Sequence, residues 1–301
     1  MTYLLASDLP RESAGKRFRA LMERPEILQL PGAHNGIAAL QAKAAGFDAL
    51  YLSGAGMSAT MGLPDLGIIT GEDVTFFIRQ IVGATGLPLL VDGDTGYGGV
   101  LNVMNMVRTF EAAGAGAVHI EDQVLPKKCG QLNGKHLIDP NEMAAKVAGA
   151  VKARRDLIVI ARTDAAAVEG VDGAVARAKL YAAAGADAIF VEALTSKDMF
   201  REVATRLPGI RLLANMTEFG VTPALTAAEF KALGYGMIIW PVSALRAANK
   251  AQAKLYAALR RDGSSHEMLA DMQTRAELYD LIGLRDYEAL DPSIVPTILP
   301  R

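Results

Sequence analysis

One arrangement of apolar and polar positions recurs along this chain. An alanine-rich stretch ends on glycine, and within two or three residues a run of large or β-branched apolar residues begins. It reads KAAGFDALYLSG at 43–54, EAAGAGAVHIED at 111–122, AAAGADAIFVEA at 182–193 and, more loosely, KALGYGMIIWP at 231–241. Glycine closes a helix because it takes the left-handed conformation freely, and β-branched or large apolar side chains suit a buried strand. Four more strand candidates are EILQLPGA (26–33), LPLLVDGDTG (87–96), LIVIARTDA (157–165) and IRLLANM (210–216). Helical segments such as GEDVTFFIRQIVGATG, DPNEMAAKVAGAVKARR, GAVARAKLYAAAG and TAAEFKALG alternate with them. Apolar strands between helices predict a parallel sheet covered by helices. Eight such units predict an α/β fold of the (β/α)8 TIM-barrel type rather than an open doubly wound sheet. No linker divides the chain, so 1–301 reads as one barrel domain. A helical extension precedes it over about 1–24, and C-terminal helices follow over about 246–290, including KAQAKLYAALRRDG and EMLADMQTRAELYDLIG. The last residues, DPSIVPTILPR, read as irregular.

Composition narrows the classes. Lys and Arg number 31 against 33 Asp and Glu, a formal charge of −2. That balance gives no footprint for nucleic acid or a membrane surface. MTYLLASDLPRESAGKRFRA lacks the apolar core of a signal peptide, and no apolar run approaches the roughly 20 residues of a spanning helix. A single cysteine cannot form an internal disulfide, which points to a reducing compartment. The expectation is a cytoplasmic protein.

Barrel enzymes place their chemistry at the C-terminal ends of the strands. Here those ends carry His34 and Asn35; Tyr51 and Ser53; Asp92 and Asp94; Glu121 and Asp122; Arg162, Thr163 and Asp164; Glu192; Asn215 and Thr217; Ser243 and Arg246. In VDGDTGYGG, Asp92 and Asp94 are two apart, which on an extended segment sends both side chains to one face. Two carboxylates aimed at one point repel unless a cation lies between them, and hard oxygen ligands favour Mg2+ or Mn2+. The bland alternatives are an Asp/Gly-rich turn or helix-capping aspartates. Glu121 or Asp122 would complete such a site, only one of them facing the mouth. YLSGAGMSA superficially matches a dinucleotide fingerprint, but a lone GxGxxA is weak. It reads better as a nest of backbone N–H groups with the Ser53 hydroxyl, suited to an anion. Arg162 is either a structural ion-pair partner or a bidentate clamp on a substrate carboxylate. His119, inside a strand, reads as a core histidine, His266 as exposed, and Trp240 as core.

The sole cysteine, Cys129, lies in PKKCGQLNGK (126–135) directly after the fourth strand. Neighbouring lysines lower a thiol pKa, and a glycine-containing loop can move. Such a loop can carry a proton to or from a bound substrate. An incidental surface cysteine or a covalent nucleophile are the alternatives.

Taken together, YLSGAG, LPDLG, LLVDGDTGYG, HIEDQ, KKCG, ARTDA, EGVDGAVARAKLY, LANMTEFG and MQTRAELY resemble the isocitrate lyase/phosphoenolpyruvate mutase superfamily, over nearly the whole chain. The resemblance implies a (β/α)8 barrel assembled as a homotetramer, a dimer of dimers with a helix swapped between partners. It implies Mg2+-dependent cleavage of 2-methylisocitrate to pyruvate and succinate, a step of propionate catabolism through the methylcitrate cycle. Asp92 and Asp94, with Glu121, would hold the metal. Ser53, Gly54, Ala55 and Arg162 would grip the pyruvate half, and Gly130, Glu192, Asn215, Met216, Thr217, Arg246 and Arg275 would surround the remainder. Cys129 would be the general acid and Tyr51 the candidate base. Departures from the family pattern are Gln131 for a histidine, Lys128 for arginine, Ala55 for a third glycine, Gly93 for alanine and Val191 for proline. Other expectations within the superfamily are lyases for dimethylmalate or isocitrate, or oxaloacetate and phosphonopyruvate chemistry. A non-catalytic barrel offers no reason for convergent aspartates beside a loop cysteine.

Overall fold

The computed structural model describes residues 2–299. Eight parallel strands alternate with helices. The strands are β1 (Leu28–Pro31), β2 (Leu50–Leu52), β3 (Leu89–Asp92), β4 (Ala117–Glu121), β5 (Ile158–Thr163), β6 (Ala188–Val191), β7 (Leu212–Asn215) and β8 (Met237–Trp240). The helices before and among them are α1 (Ala14–Met22), α2 (Gly36–Ala44), α3 (Gly54–Thr60), α4 (Gly71–Thr85), α5 (Val100–Ala113), α6 (Pro140–Ala153), α7 (Gly170–Ala183), α8 (Lys197–Arg206) and α9 (Ala227–Ala232). The C-terminal segment adds α10 (Ser243–Asp262), α11 (Arg275–Leu281) and α12 (Leu284–Glu288). From β2 to β8 each strand pairs with its sequence neighbour, and β1 pairs with β8. The ring joins between β1 and β2 through one bridge, Gly32 to Tyr51, with Ala33 N–H donating to the Tyr51 carbonyl at 2.9 Å. This is a (β/α)8 barrel, closed but for a short seam.

Side chains alternate across each strand, and the two faces form two cores. Outward residues such as Leu50, Val91, Val118, Val159 and Ile189 pack against the helices. Inward residues such as Leu30, Leu90, Ile160, Phe190 and Ile239 fill the barrel, where Phe18, Leu21 and Met22 of α1 join them. The N-terminal extension thus plugs the bottom of the barrel. The fit is close: a Cβ on Gly116 would lie 3.0 Å from the Ala14 carbonyl oxygen and 3.3 Å from Phe18 Cβ.

The inward series ends in polar residues strand after strand: Tyr51, Asp92, Glu121, Arg162, Glu192, Asn215. Alternation also settles the choice between Glu121 and Asp122. Glu121 faces the mouth, whereas Asp122 faces the helices, accepting from Thr163 Oγ1 at 2.7 Å, Asp164 N–H at 2.9 Å, Tyr181 OH at 2.8 Å and Arg177 Nη1 at 3.4 Å. Asp122 therefore belongs to the joint between β4, β5 and α7.

EMLADMQTRAELYDLIG is not one helix. A 3-10 turn covers His266–Asp271, and α11 begins afresh at Arg275. The Thr274 side chain accepts from Glu277 N–H while the Glu277 carboxylate accepts from Thr274 N–H, a capping box that fixes a new N-terminus.

Asp122→Ala removes an acceptor shared by several buried donors. It should lower the unfolding free energy by about 3 kcal/mol, measured by urea denaturation. A loss under about 1 kcal/mol would mean that Tyr181 and Arg177 find other partners.

Candidate active site

The mouth of the barrel holds a cavity of about 370 Å³. Strand ends and three loops line it, among them Tyr51, Ser53, Ala55, Asp92, Cys129, Gly130, Arg162, Glu192, Asn215, Thr217 and Arg246.

On one side lies an acidic cluster. Asp92 ends β3 and accepts from Gly54 N–H at 3.0 Å and Asp94 N–H at 3.1 Å. A Cβ at Gly54 would lie 3.0 Å from Asp92 Oδ2, so glycine there lets the backbone cradle the carboxylate. The N–H of Gly54 is thereby committed to Asp92 and does not point to an anion in the cavity. Asp94 reaches the cluster by a route other than strand alternation: β3 stops at Asp92, and Asp94 has φ 47°. A left-handed turn, which aspartate tolerates better than most residues, carries its carboxylate round. Lys127 Nζ sits against Asp94 Oδ1 at 2.6 Å and also pairs with Asp65. Burial and the charge of Asp92 push Asp94 up to about 6, against the pull of Lys127. Burial also opposes ionisation of Asp92, but His119, Lys127, Arg162 and the Gly54 N–H together hold it well below the usual carboxylate range.

Among the described residues no three acidic, histidine or cysteine side chains converge tightly enough to form a metal cage. The cluster nevertheless fits a hard cation. Asp92 and Asp94 are buried and Asp65 is half-buried, and the Lys127 ammonium pairs with both Asp65 and Asp94. Mg2+ characteristically uses one or two carboxylates and completes its shell with water and substrate oxygens. Glu121 is fully buried one strand away. It faces Arg162 Nη1 at 3.0 Å, without hydrogen-bond alignment at either oxygen.

Arg162 organises the floor. Its Nε and Nη2 donate to Asp164 at 3.0 and 3.1 Å, and its guanidinium lies 5.4 Å from the Phe190 ring centroid. Lys135 Nζ pairs with Asp164 at 2.9 Å. Asn215 Nδ2 donates to Glu192 at 3.2 Å, while Asn215 Oδ1 is buried without a hydrogen-bond partner. Tyr51 OH is 2.8 Å from His119 Nε2. Burial, then the charge of Asp92, raises Tyr51 well above the usual phenol range. Burial outweighs Asp92 and lowers His119 to about 4. At neutral pH both are uncharged, and His119 is the core histidine expected from the sequence, fully buried and hydrogen-bonded through Nε2 to Tyr51.

Cys129 lines the cavity from the loop after β4, but the lysines before it do not activate it. Lys127 is turned to Asp65 and Asp94. Burial pushes the thiol up, outweighing the Gln131 N–H that pulls it down, with Asp65 pushing up, Arg162 pulling down and Glu192 pushing up. The thiol is therefore protonated at neutral pH, opposite to the direction predicted from KKCG.

Met216 and Arg275 do not reach the cavity. Met216 follows Asn215 and so points outward, its Sδ accepting from Leu225 N–H at 3.3 Å. Arg275 is exposed at the start of α11. Conversely, the sequence reading overlooked Asp65 and Lys127 as partners in the acidic cluster, and Phe190 as a cavity wall. Asp65 had one signal, an acidic residue directly after a proline and two before a glycine in LPDLG, just beyond α3.

With this geometry in view, comparison with known proteins is specific. Residues 18–260 match the phosphoenolpyruvate phosphomutase family. The chain belongs to the phosphoenolpyruvate mutase/isocitrate lyase superfamily. It is 53% identical over 300 residues to the 2-methylisocitrate lyase of Bacillus subtilis, covering 100% of this chain and 99% of that one. The crystal structure of 2,3-dimethylmalate lyase superposes with a TM-score of 0.89 at 39% identity, covering 94% of this chain and 96% of the other. Phosphonopyruvate hydrolase in complex with oxalate and Mg2+ superposes with a TM-score of 0.85 at 32% identity, covering 94% and 99%.

The direction of the thiol shift is testable. The alkylation rate of Cys129 should rise with pH along a curve whose midpoint lies above that of a free thiol in the same buffer. A midpoint below it would mean that lysine activation prevails over burial.

Proposed function

We propose that this chain is a carbon–carbon lyase that cleaves 2-methylisocitrate to pyruvate and succinate. The observation that carries the reading is the placement of a protonated loop thiol, Cys129, on the same cavity as Tyr51, Arg162 and Asp92. Retro-aldol cleavage needs an acceptor for the hydroxyl proton, cations for the carboxylates, and an acid for the carbanion released.

In this reading Arg162 and the Ser53 hydroxyl bind the carboxylate of the half that becomes pyruvate, and Arg246 with Thr217 and Asn215 bind the other half. Mg2+, if held by Asp92 and Asp94 with Glu121 nearby, would polarise the hydroxy-acid oxygens as a Lewis acid; Mn2+ suits the same oxygen ligands. The Tyr51 phenol is uncharged, so it accepts the substrate hydroxyl proton as it passes its own to His119 Nε2, and no free phenolate forms. The carbon–carbon bond breaks, its electron pair stays on the succinate half, and Cys129 delivers the thiol proton to that carbon. Phe190, Ile239, Pro241 and Val242 give the cavity an apolar wall, which accommodates a methyl branch better than another charge. The precedent of the B. subtilis relative supports the substrate, and the Mg2+ complex of phosphonopyruvate hydrolase supports the metal.

A second reading, a lyase for 2,3-dimethylmalate, is favoured by the superposition on that enzyme and uses the same residues. We further infer a single-domain protein of the cytoplasm acting in propionate breakdown, assembled as a homotetramer with exchanged C-terminal helices. No helix of the described residues is long and apolar enough to cross a membrane. Tyr256 and Leu259 of α10 are exposed and apolar, as an element covered by a partner would be.

The test is pyruvate release from 2-methylisocitrate with Mg2+, run beside 2,3-dimethylmalate, isocitrate and oxaloacetate. Preference for 2-methylisocitrate is expected, with loss on chelation and recovery on adding Mg2+. Cys129→Ser should cut kcat by about 10²–10⁴, the usual share of a positioned general acid. Undiminished turnover in that variant, or preference for another of the acids, would overturn the reading.

A further inference from the structure

The loop bearing Cys129 is pinned on its own side of the barrel. Lys127 holds Asp65 and Asp94, Lys135 Nζ donates to the Gly130 carbonyl at 2.5 Å and to Asp164, and the Gln123 amide brackets the backbone of Lys128 at 2.9 and 3.0 Å. Gln131 reaches the opposite way. Its Nε2 donates to Glu192 beyond β6, and its Oε1 accepts from Val221 N–H at 3.0 Å in the loop between β7 and α9. One amide thus spans the mouth.

Two glycines make room for it. A Cβ on Gly130 would run into Arg162 Nη2 and Glu192, and a Cβ on Gly220 would lie 2.5 Å from Gln131 Oε1. A primary amide suits the position because it offers a donor and an acceptor together without titrating. Glutamate would offer acceptors alone and would face the Glu192 carboxylate.

We infer that Gln131 is a positioning residue, a latch that ties the loop after β4 to the loop after β7 and so fixes Cys129 over the cavity. Its consequence for turnover rests on the proposed role of Cys129; the latch itself does not. Cys129 is the sole cysteine, so thiol alkylation reports on this loop alone.

The experiment compares iodoacetamide alkylation of the substrate-free full chain, followed by intact mass at one pH, in wild type, Gln131→Ala, Gln131→Glu, Gln131→His and Gly220→Ala. Gln131→Ala and Gln131→Glu should react about tenfold faster than wild type, the scale set by losing two ordinary hydrogen bonds. Gly220→Ala should shift in the same direction, because it displaces the amide from the opposite loop. Gln131→His should stay near wild type, since a neutral imidazole donates at one nitrogen and accepts at the other. In the lyase assay Gln131→Ala should lower kcat by a larger factor than it raises KM. Alkylation of Gln131→Ala at the wild-type rate, or acceleration only alongside a lowered unfolding midpoint, overturns the latch. If the variants accelerate alkylation but wild type releases no pyruvate from 2-methylisocitrate, the latch stands and the substrate reading falls. If wild type turns over and alkylation is unchanged, the latch alone falls.

Discussion

A guanidinium buried at the end of the fifth strand is the constraint from which the rest of the mouth follows. The mouth gathers more carboxylates than cations, and buried carboxylates repel one another as well as losing hydration. Arg162 faces Glu121, holds Asp164 and lies over Phe190. Its charge helps to keep Asp92 ionised and pulls Glu192 down against burial, which still leaves Glu192 raised. Gly130 has no side chain because Arg162 occupies the space one would fill. The cysteine loop is therefore shaped around this residue. Lys127 repeats the device on the other side of the cavity, one cation placed so that several acids can share a small volume.

The barrel was legible in the sequence because its signal is local and repeated. Four glycine-closed helices each followed by an apolar run, with four further apolar strand candidates alternating with helices, make eight units, and eight units suffice to name the fold. The polar rim was legible for a related reason: inward positions alternate, so the last inward residue of each strand can be named without coordinates. Contacts between distant segments were not legible. That Lys127 turns to Asp65 and Asp94, away from Cys129, depends on loops far apart in sequence, and the predicted direction of the thiol shift failed with it. The spacing of Asp92 and Asp94 predicts an extended segment, whereas a left-handed φ at Asp94 turns the chain there. Met216 stands between Asn215 and Thr217 in sequence, but alternation along β7 sends its side chain outward, against Leu225.

Neighbouring residues in this rim divide labour by parity. Glu121 looks into the mouth and its carboxyl is pushed up by burial, whereas Asp122 looks out and satisfies four donors at the joint with α7. Asp92 and the Gly54 backbone show the same economy, since the N–H that orients the acid at the end of β3 belongs to the first residue of α3, the helix after β2. Structural and chemical roles are separated by one position along a strand, which is why motifs such as HIED cannot be read as a unit.

The seam between β1 and β2 carries a further consequence, for how the chain reaches this state. β1 lies near the start of the chain, yet its long edge is completed by β8, more than two hundred residues later. Its edge toward β2 is the short one. During synthesis the first strand must wait for the last, and the plug supplied by α1 has no finished cylinder to close until then. Contacts of such sequence separation form slowly, because the intervening chain must be ordered first. The site is drawn from strand ends spread over that whole length, so its rim is complete only once β8 has paired with β1.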